Sequence, residues 1–208
     1  MESIAADLQE FKLGNQILKI WVPNFQALQI SHQLNAYGDA PFWGRVWPSA
    51  LAMIQFLEAH PSYIQGKKVV ELAAGLGLPS LYASQLASEI IVSDYDPDAV
   101  AWMGKNIGLN SLNNINAQQI NWNNLPNNLV TETLLLCDVN YDPHQFEGLL
   151  KMINSFLQQG ATILLTTPQR LVGRPFIEAL LKHALFNEVL EIDQNDKLHL
   201  INVLTLSH

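Results

Sequence analysis

Several classes of protein are excluded by what the sequence lacks. It has one cysteine in 208 residues, so no internal disulfide can form, and we expect a reducing, cytoplasmic compartment. Lysine and arginine number 11 against 19 acidic residues, for a net charge of -8. Nucleic-acid binders usually carry a basic face, so a nucleic-acid partner is not expected. A membrane helix needs ~20 consecutive apolar residues, and no run approaches that length. The first residues show no secretory signal.

Metal and hydrolase motifs are missing as well. The sequence contains no H-x-x-x-H, no C-x-x-C and no G-x-S-x-G, so zinc and serine hydrolase chemistry lack support and no metal site is predicted. In contrast, apolar residues make up 49% of the chain, enough for a sizeable core. The length favours a single globular domain.

Short apolar runs alternate with helical segments from residue 67 onward. The strand-like runs lie at 67–72, 88–94, 114–120, 132–138, 161–167, 186–192 and 197–206. This rhythm predicts an α/β fold with a mostly parallel sheet covered by helices on both faces. Only a short polar turn separates the last two runs, which predicts an antiparallel C-terminal hairpin after five parallel strands.

The residues before this sheet are predicted to form an N-terminal extension, residues 1–40, ahead of the main domain at 41–208. The extension contains a strand-like run at 17–22 and a loop rich in turn residues at 35–41. An aromatic cluster follows, and a helix is predicted from Pro48 to about His60. The ten asparagines between 106 and 128 indicate turns and helix ends.

A glycine-containing turn connects the first strand of the main sheet to a helix. Glu71 lies near the strand end, and Gly75 and Gly77 lie in the turn, where we expect positive φ, close approach of a ligand, or both. Free N–H groups at a helix N-terminus suit a carboxylate or phosphate. A plain tight turn is the alternative.

Asp94 ends the second strand of the main sheet, nineteen residues after Gly75. An acid at this spacing can bind both hydroxyls of a ribose, although it could instead cap the following helix. A dinucleotide is disfavoured, since Ser80 stands where the third glycine of the fingerprint belongs and Pro79 removes an N–H. S-adenosylmethionine needs no pyrophosphate cradle. Glu71 could hold its ammonium directly or through water, and its carboxylate would lie at the glycine turn or near Ser49.

Longer motifs resemble those of a known family. PFWGRVWPSALAM, ELAAGLGLPS, SDYDPDAV, CDVNYDP and TTPQR resemble the seven-β-strand, Rossmann-like methyltransferases that use S-adenosylmethionine. Within them, the chain resembles the protein lysine methyltransferase group that includes the enzyme acting on the electron transfer flavoprotein β-subunit. The resemblance covers about residues 35–192. It implies a Rossmann-like sheet, S-adenosylmethionine as cofactor and a protein substrate.

The resemblance also implies roles for particular residues. Those implied to contact the cofactor are Trp47, Glu71, Ala73, Gly75, Gly77, Asp94, Asn121, Trp122 and Asp138. Asp138 and Tyr141 match the D-x-x-Y motif that lines the methyl-transfer site and are the predicted catalytic residues. Ala73 stands where many relatives have glycine, Asn121 where many have an acid, and Ser49 where some have glycine.

Structural interpretations remain open for several of these residues. Trp47 and Trp122 could be packing residues, and Tyr141 could be an ordinary turn residue. Trp43 is interpreted as a core anchor and Cys137 as a small buried apolar residue. Asp138 could merely fix its own loop.

Two arginines are predicted in the loop after the fifth main strand. Arg170 and Arg174 occupy a position suited to gripping an acidic substrate segment, and Arg174 is also consistent with solvated surface charge.

The sequence therefore predicts a methyltransferase that acts on a nitrogen, most simply a protein lysine ε-amine. Asp138 would orient the neutral amine, and Tyr141 and Phe42 would face the methylated cation. A small-molecule amine methyltransferase and a non-catalytic binding module with the same fold are the alternatives.

Overall fold

A two-stranded antiparallel sheet and a helix precede the main sheet in the computed structural model, which describes residues 4–13, 16–34 and 41–208. Ala6–Leu13 (β1) pairs with Gln16–Pro23 (β2), and Phe25–Leu34 (α1) follows. The predicted strand at 17–22 is confirmed within β2. Strand β1 and helix α1 were not predicted, and most of the predicted loop at 35–41 lies outside the described residues.

Seven strands form the main sheet. They are Lys68–Leu72 (β3), Glu89–Asp94 (β4), Ile115–Gln119 (β5), Thr133–Cys137 (β6), Thr162–Pro168 (β7), Ala184–Gln194 (β8) and Lys197–Leu206 (β9). Their order is β5-β4-β3-β6-β7-β9-β8. Strands β3 to β7 are parallel, and β9 runs antiparallel to both β7 and β8. The predicted α/β class, the Rossmann-like sheet and the C-terminal hairpin are confirmed.

Helices connect the strands. They are Pro48–Ala59 (α2), Leu78–Ala83 (α3), Pro97–Leu109 (α4), Phe146–Gln158 (α5) and Arg174–Leu180 (α6). The predicted helix from Pro48 is confirmed and ends at Ala59. Helix α6 is short, because the chain tightens into a 3₁₀ turn at Leu181–His183 before β8. In the part of the chain that the structure describes, no helix combines the length and apolar character needed to cross a membrane.

The two faces of the sheet carry separate apolar clusters. Helix α2 packs on one face against β7, β8 and β9, with Ala52 touching Ile192 and Ile201. On the other face, Phe156 of α5 and Phe176 of α6 belong to the cluster that contains every second buried residue of β6 and β7, Leu134, Leu136, Ile163 and Leu165. Burial on both faces explains why these strands read as continuous apolar runs.

The N-terminal sheet is attached to α4 through asparagines. The Asn106 side-chain oxygen accepts a hydrogen bond from the Trp21 N–H at 2.8 Å. Asn110 accepts from the Lys19 N–H at 3.0 Å and donates to the Lys19 carbonyl at 2.6 Å. Two members of the asparagine-rich region therefore form hydrogen bonds with backbone groups at the edge of β2. The turn propensity of asparagine did not reveal this role.

The sheet reverses its order between β3 and β6. The chain moves outward from β3 to β5 and then returns to place β6 on the other side of β3. The loops that follow these two strands diverge, which leaves a crevice at the carboxyl edge of the sheet. Ligands of open α/β sheets bind in such crevices.

Candidate functional site

A cavity of about 570 Å³ occupies this crevice, within the usual size range of small-molecule sites, roughly 300–1,000 Å³. The loops after β3, β4, β5, β6 and β7 all contribute to its wall. Every predicted site residue lines it: Trp47, Glu71, Ala73, Gly75, Gly77, Asp94, Asn121, Trp122, Asp138 and Tyr141. Phe42, Cys137 and Arg170 line it as well. The topology thus brings together residues that are as far apart in the sequence as Trp47 and Tyr141.

The turn after β3 has the unusual backbone that its glycines predicted. The φ angles are +57° at Gly75 and +76° at Gly77, which confirms the predicted positive φ. A side chain on Gly75 would lie 3.0 Å from the Trp43 carbonyl oxygen. On Gly77 it would lie 3.2 Å from Val92. Glycine is therefore required for packing around the turn as well as for its conformation.

Ala73 also has a positive φ, +53°. A non-glycine residue in this region is strained, at a cost of order ~1–3 kcal/mol, and such strain concentrates at functional sites. The neighbouring Ala74 N–H donates to the Ser93 carbonyl at 2.9 Å, and the Gly77 N–H donates to the Ala74 carbonyl at 2.9 Å. These bonds hold the turn against β4.

Glu71 lies beneath this turn and is fully buried. Its Oε2 accepts hydrogen bonds from the Ser80 N–H at 3.0 Å and the Ser80 hydroxyl at 2.5 Å. Among the described residues, no N–H or O–H group donates to its Oε1, which is also buried. Burial raises the pKa of Glu71 to about 8, because a buried carboxylate loses its hydration.

Ser80 thus has a role that the sequence comparison with dinucleotide motifs did not reveal. In the dinucleotide fingerprint Ser80 is only a missing third glycine, yet both its N–H and its hydroxyl donate to Glu71. The spacing of nine residues between a buried acid and a hydroxyl at the start of a helix was the available signal.

Asp94 ends β4 with its carboxylate held by backbone groups. The Gly75 N–H donates to Oδ2 at 3.0 Å, and the Asp96 N–H donates to Oδ1 at 3.1 Å. Burial raises the pKa of Asp94 to about 6, although these hydrogen bonds oppose the shift. A carboxylate offers about four lone-pair sites, so acceptor capacity remains for a ligand hydroxyl.

The alternative that Asp94 caps helix α4 is wrong. The capping residue is Asp96, whose Oδ1 accepts from the Asp98 N–H at 2.8 Å. Asp96 also accepts from the Trp43 indole N–H at 2.8 Å. Trp43 is buried, as expected for a core anchor, and its polar edge fixes the start of α4.

Asn121 and Trp122 form the wall beyond β5. Asn121 is exposed, and its side-chain oxygen accepts from the Asn123 N–H at 2.9 Å. Its side-chain carbonyl therefore belongs to a local turn, with one lone pair left for an adenine amino group. Trp122 is partly buried and packs against the α5–α6 side of the core, so it both packs and lines the cavity.

Asp138 follows β6 in a left-handed conformation, with φ of +56°. Its N–H donates to the Thr166 carbonyl of β7 at 2.8 Å. Its carboxylate is buried and forms a two-pronged ion pair with the guanidinium of Arg170, whose Nη1 contacts Oδ1 and whose Nη2 lies 2.9 Å from Oδ2. Such pairs fix the plane of the carboxylate as well as its position.

The two arginines after β7 have different roles. Arg170, expected to grip an acidic substrate, instead binds Asp138 of its own chain, because the loop after β7 folds back over the end of β6. Arg174 pairs with Glu178 one helical turn later, and both side chains are exposed. Arg174 is therefore a solvated surface residue.

Three aromatic rings form one rim of the cavity. The rings of Phe42 and Tyr141 meet edge to face at 5.7 Å, and those of Phe42 and Trp47 at 6.3 Å. The Trp47 indole N–H donates to the Phe42 carbonyl at 2.9 Å. Tyr141 is 47% exposed, so it stands at the mouth of the cavity rather than in the core.

Cys137 forms part of the cavity wall between Glu71 and Asp138. The residue is only partly buried and lines the cavity, whereas the sequence indicated a buried apolar residue. Burial and the neighbouring carboxylates raise its pKa above the usual value. A neutral thiol supplies a small, weakly polar surface. Among the described residues, no group of His, Cys, Asp and Glu has the arrangement of a metal site.

The sequence of the chain is similar to those of known proteins. Residues 26–183 match the lysine methyltransferase family. The chain is 31% identical over 156 residues to the mouse electron transfer flavoprotein β-subunit lysine methyltransferase, covering 74% of this chain and 59% of that enzyme. It is 26% identical over 143 residues to a human histone-arginine methyltransferase, covering 65% of this chain and 75% of that enzyme.

Solved structures share the fold. The Bradyrhizobium japonicum N-methyltransferase NodS, determined with S-adenosyl-L-homocysteine, superposes with a TM-score of 0.63 at 14% identity, covering 88% of this chain and 98% of that one. The family match spans most of the chain and includes every predicted site residue. The protein therefore belongs to the lysine methyltransferase family.

Proposed function

We propose that the protein transfers a methyl group from S-adenosylmethionine to the ε-amine of a lysine in another protein, in the cytosol. The observation that carries this proposal is the arrangement of carboxylates around one cavity. Glu71 and Asp94 lie at the end formed by β3 and β4, and Asp138 lies across the crevice beside aromatic rings. The cytosolic assignment is supported by the single cysteine.

The first end of the cavity fits S-adenosylmethionine. The unsatisfied Oε1 of Glu71 is suited to the ammonium of its amino-acid group, which would ionise the carboxyl and relieve a costly buried group. Asp94 has acceptor capacity for ribose hydroxyls, and Trp122 offers an apolar wall for the base. The cofactor supplies an electrophilic methyl group.

The second end fits an amine. Lysine has an ordinary pKa near ~10.4, so its neutral form is rare at neutral pH and the proton must leave before transfer. Asp138 accepts a hydrogen bond from the neutral amine and fixes the direction of its lone pair. Arg170 offsets much of the charge on Asp138, which weakens the attraction of this carboxylate for the unreactive ammonium form. Tyr141 and Phe42 present aromatic surface to the methylated cation.

Arginine is the second candidate acceptor, because the matched relatives include histone-arginine methyltransferases. The ion pair at Asp138 favours lysine. A guanidinium binds a carboxylate by its two-pronged fork, and the fork position on Asp138 is already filled by Arg170. A small-molecule amine is a further alternative, but it would need a cover over the cavity, and the 47% exposure of Tyr141 at the mouth favours a protein acceptor.

The test is methyl transfer from labelled S-adenosylmethionine to a fractionated cell lysate, followed by acid hydrolysis and amino-acid analysis of the labelled material. Label recovered as methyllysine in protein supports the proposal, and methylarginine supports the second candidate. Label confined to small molecules would overturn a protein acceptor. Absence of both transfer and cofactor binding by calorimetry would leave a binding module as the better interpretation.

A further inference from the structure

The C-terminal hairpin projects past the end of its neighbour strand at the carboxyl edge of the sheet. Strand β7 ends at Pro168, which pairs with Ile201 of β9. Residues 197–200 of β9 and their partners in β8 therefore extend beyond β7. The cavity opens at the same edge, so this extension flanks the candidate active site.

One face of the projecting hairpin is apolar and exposed. Leu198 and Leu200 share a face of β9 with Leu204 and Leu206, because side chains alternate along a strand. The two inner leucines are buried in the cluster that contains Phe176 of α6. The two outer ones are 58% and 44% exposed, since they lie beyond the end of the helical layer.

Further exposed apolar side chains lie on this face of β8 and in the turn that follows β7. Val189 of β8 is exposed next to it, and Leu171 and Val172 in the turn before α6 are 89% and 44% exposed. We refer to Val189, Leu198, Leu200, Leu171 and Val172 as the shelf. Large exposed apolar patches on soluble proteins mark sites of interaction.

The hairpin that carries the shelf is attached at two points to the wall of the cavity or to residues next to it. The Gln169 N–H donates to the Leu200 carbonyl at 3.3 Å, and the next residue, Arg170, binds Asp138. At the hairpin tip, the Gln194 side chain donates to the carbonyl of Val46, a cavity residue, at 3.1 Å. Leu200 of the shelf is therefore bonded to the residue that directly precedes Arg170 of the cavity wall.

The charges beside the shelf define its partner. Glu191 pairs with Leu200 and Asp193 with Leu198 across the hairpin, so both acidic side chains lie on the same face as the shelf, and both are exposed. The positive charge of the nearby Arg170 is already paired, and the chain has a net charge of -8. An apolar surface bordered by acids complements a basic segment that also carries apolar side chains.

We propose that the shelf binds the part of a protein substrate that flanks the acceptor lysine, and that it selects segments combining apolar and basic residues. This inference rests on the proposed function and deepens it, because it assigns substrate selection to the C-terminal hairpin rather than to the cavity itself.

A degenerate peptide library tests the proposal. Each peptide carries one central lysine with mixed residues on both sides and blocked termini, and the labelled products are sequenced after transfer from S-adenosylmethionine. We expect enrichment of apolar residues and arginine around the methylated lysine. Labelling without enrichment would overturn the shelf alone, whereas absence of labelling on any peptide would remove the proposed function together with it.

Two variants assign the effect to the shelf. The double variant Leu198→Ser with Leu200→Ser should raise KM for an enriched peptide by about tenfold, equivalent to ~1.4 kcal/mol, with cofactor affinity unchanged. Glu191→Gln with Asp193→Asn should reduce selection for arginine and retain selection for apolar residues. Leu185→Ser is the matched control, since Leu185 is 69% exposed at the opposite end of β8. An equal KM in the wild type and both double variants would refute the docking site.

Discussion

At the β3–β4 end of the cavity, carboxylates are held mainly by the backbone, whereas at the β6–β7 end a carboxylate is held by another side chain. Asp94 accepts from the backbone N–H groups of Gly75 and Asp96, and Glu71 accepts from the N–H and hydroxyl of Ser80. Asp138 instead depends on Arg170, which is 34% exposed in its side chain. The first end is therefore fixed as soon as the sheet forms, while the second can change with a single surface-accessible residue. Substrate choice can diverge on such a scaffold without disturbing cofactor binding.

Replacing Asp94 should produce the largest loss of cofactor affinity, because Asp94 lies at the β3–β4 end of the cavity, where backbone groups hold the carboxylates. Asp94→Ala removes the ribose contacts and leaves the Gly75 and Asp96 N–H groups unsatisfied. We expect cofactor affinity to fall by about tenfold to a hundredfold and the melting temperature to fall with it. Calorimetry and thermal melting measure both, with Asp98→Ala on α4 as control. Unchanged affinity in a folded variant would contradict the ribose role.

A substitution at Asp138 should lower the rate of methyl transfer without a matching loss of cofactor affinity. Asp138→Asn keeps the size of the side chain and removes its charge, so turnover should fall by roughly tenfold or more. Cofactor affinity should change far less, because the β3–β4 end is untouched. Single-turnover rate, cofactor affinity and melting temperature are measured on one preparation. Full single-turnover activity would eliminate the catalytic role, and a parallel loss of affinity and stability would indicate a purely structural one.

The raised pKa of Glu71 makes cofactor binding depend on pH. Burial raises this pKa from its ordinary value of 4.5 to about 8, and an ammonium beside the carboxylate favours its ionised form. Binding below pH 8 should therefore release a proton, and wild-type affinity should rise with pH up to about 8 relative to Glu71→Gln. Calorimetry in buffers of different ionisation enthalpy measures the released proton. An identical pH dependence in the two proteins would exclude Glu71 as the ammonium partner.

The same shift predicts a trend in stability without cofactor. A folded-state pKa above the unfolded value means that the folded protein binds the proton more tightly. This contribution of Glu71 to the free energy of unfolding is fully present below about pH 4.5 and is lost as the pH rises through about 8. The melting temperature of the wild type should thus decline relative to that of Glu71→Gln across this range.

Replacing Arg174 should have the smallest effect on turnover and melting temperature. Comparison with a substitution at Arg170 tests whether the pairing at Asp138 matters. Arg174 forms an exposed pair with Glu178, and such pairs contribute about 0–1 kcal/mol. Arg174→Gln should leave turnover unchanged and the melting temperature nearly so, whereas Arg170→Gln should lower turnover by releasing Asp138. Equal effects of the two substitutions would show that the pairing at Asp138 has no special role.

The main sheet was predictable from the sequence because β3, β4, β6 and β7 are buried on both faces and therefore consist largely of consecutive apolar residues. The sequence did not predict β1, whose residues are mostly exposed and show no strong alternation. The turn after β3 was predictable from Gly75 and Gly77, since few residues tolerate positive φ. The pairing of Asp138 with Arg170 was not, because the two are 32 positions apart and meet only through the loop after β7. Local sequence patterns record burial and backbone conformation but not which side chains meet in the folded chain.

The position of β9 between β7 and β8 also affects how the protein forms during translation. Strand β8 leaves the ribosome before β9, yet it pairs with β9 rather than with β7. The residues of β8 must therefore wait without a partner until the following strand has emerged and inserted between them and the sheet. The residues between 47 and 138 that are predicted to contact the cofactor are synthesised well before this event. A nascent chain can thus first form the part of the sheet that we propose to bind the cofactor, and last the hairpin that we propose to bind the substrate.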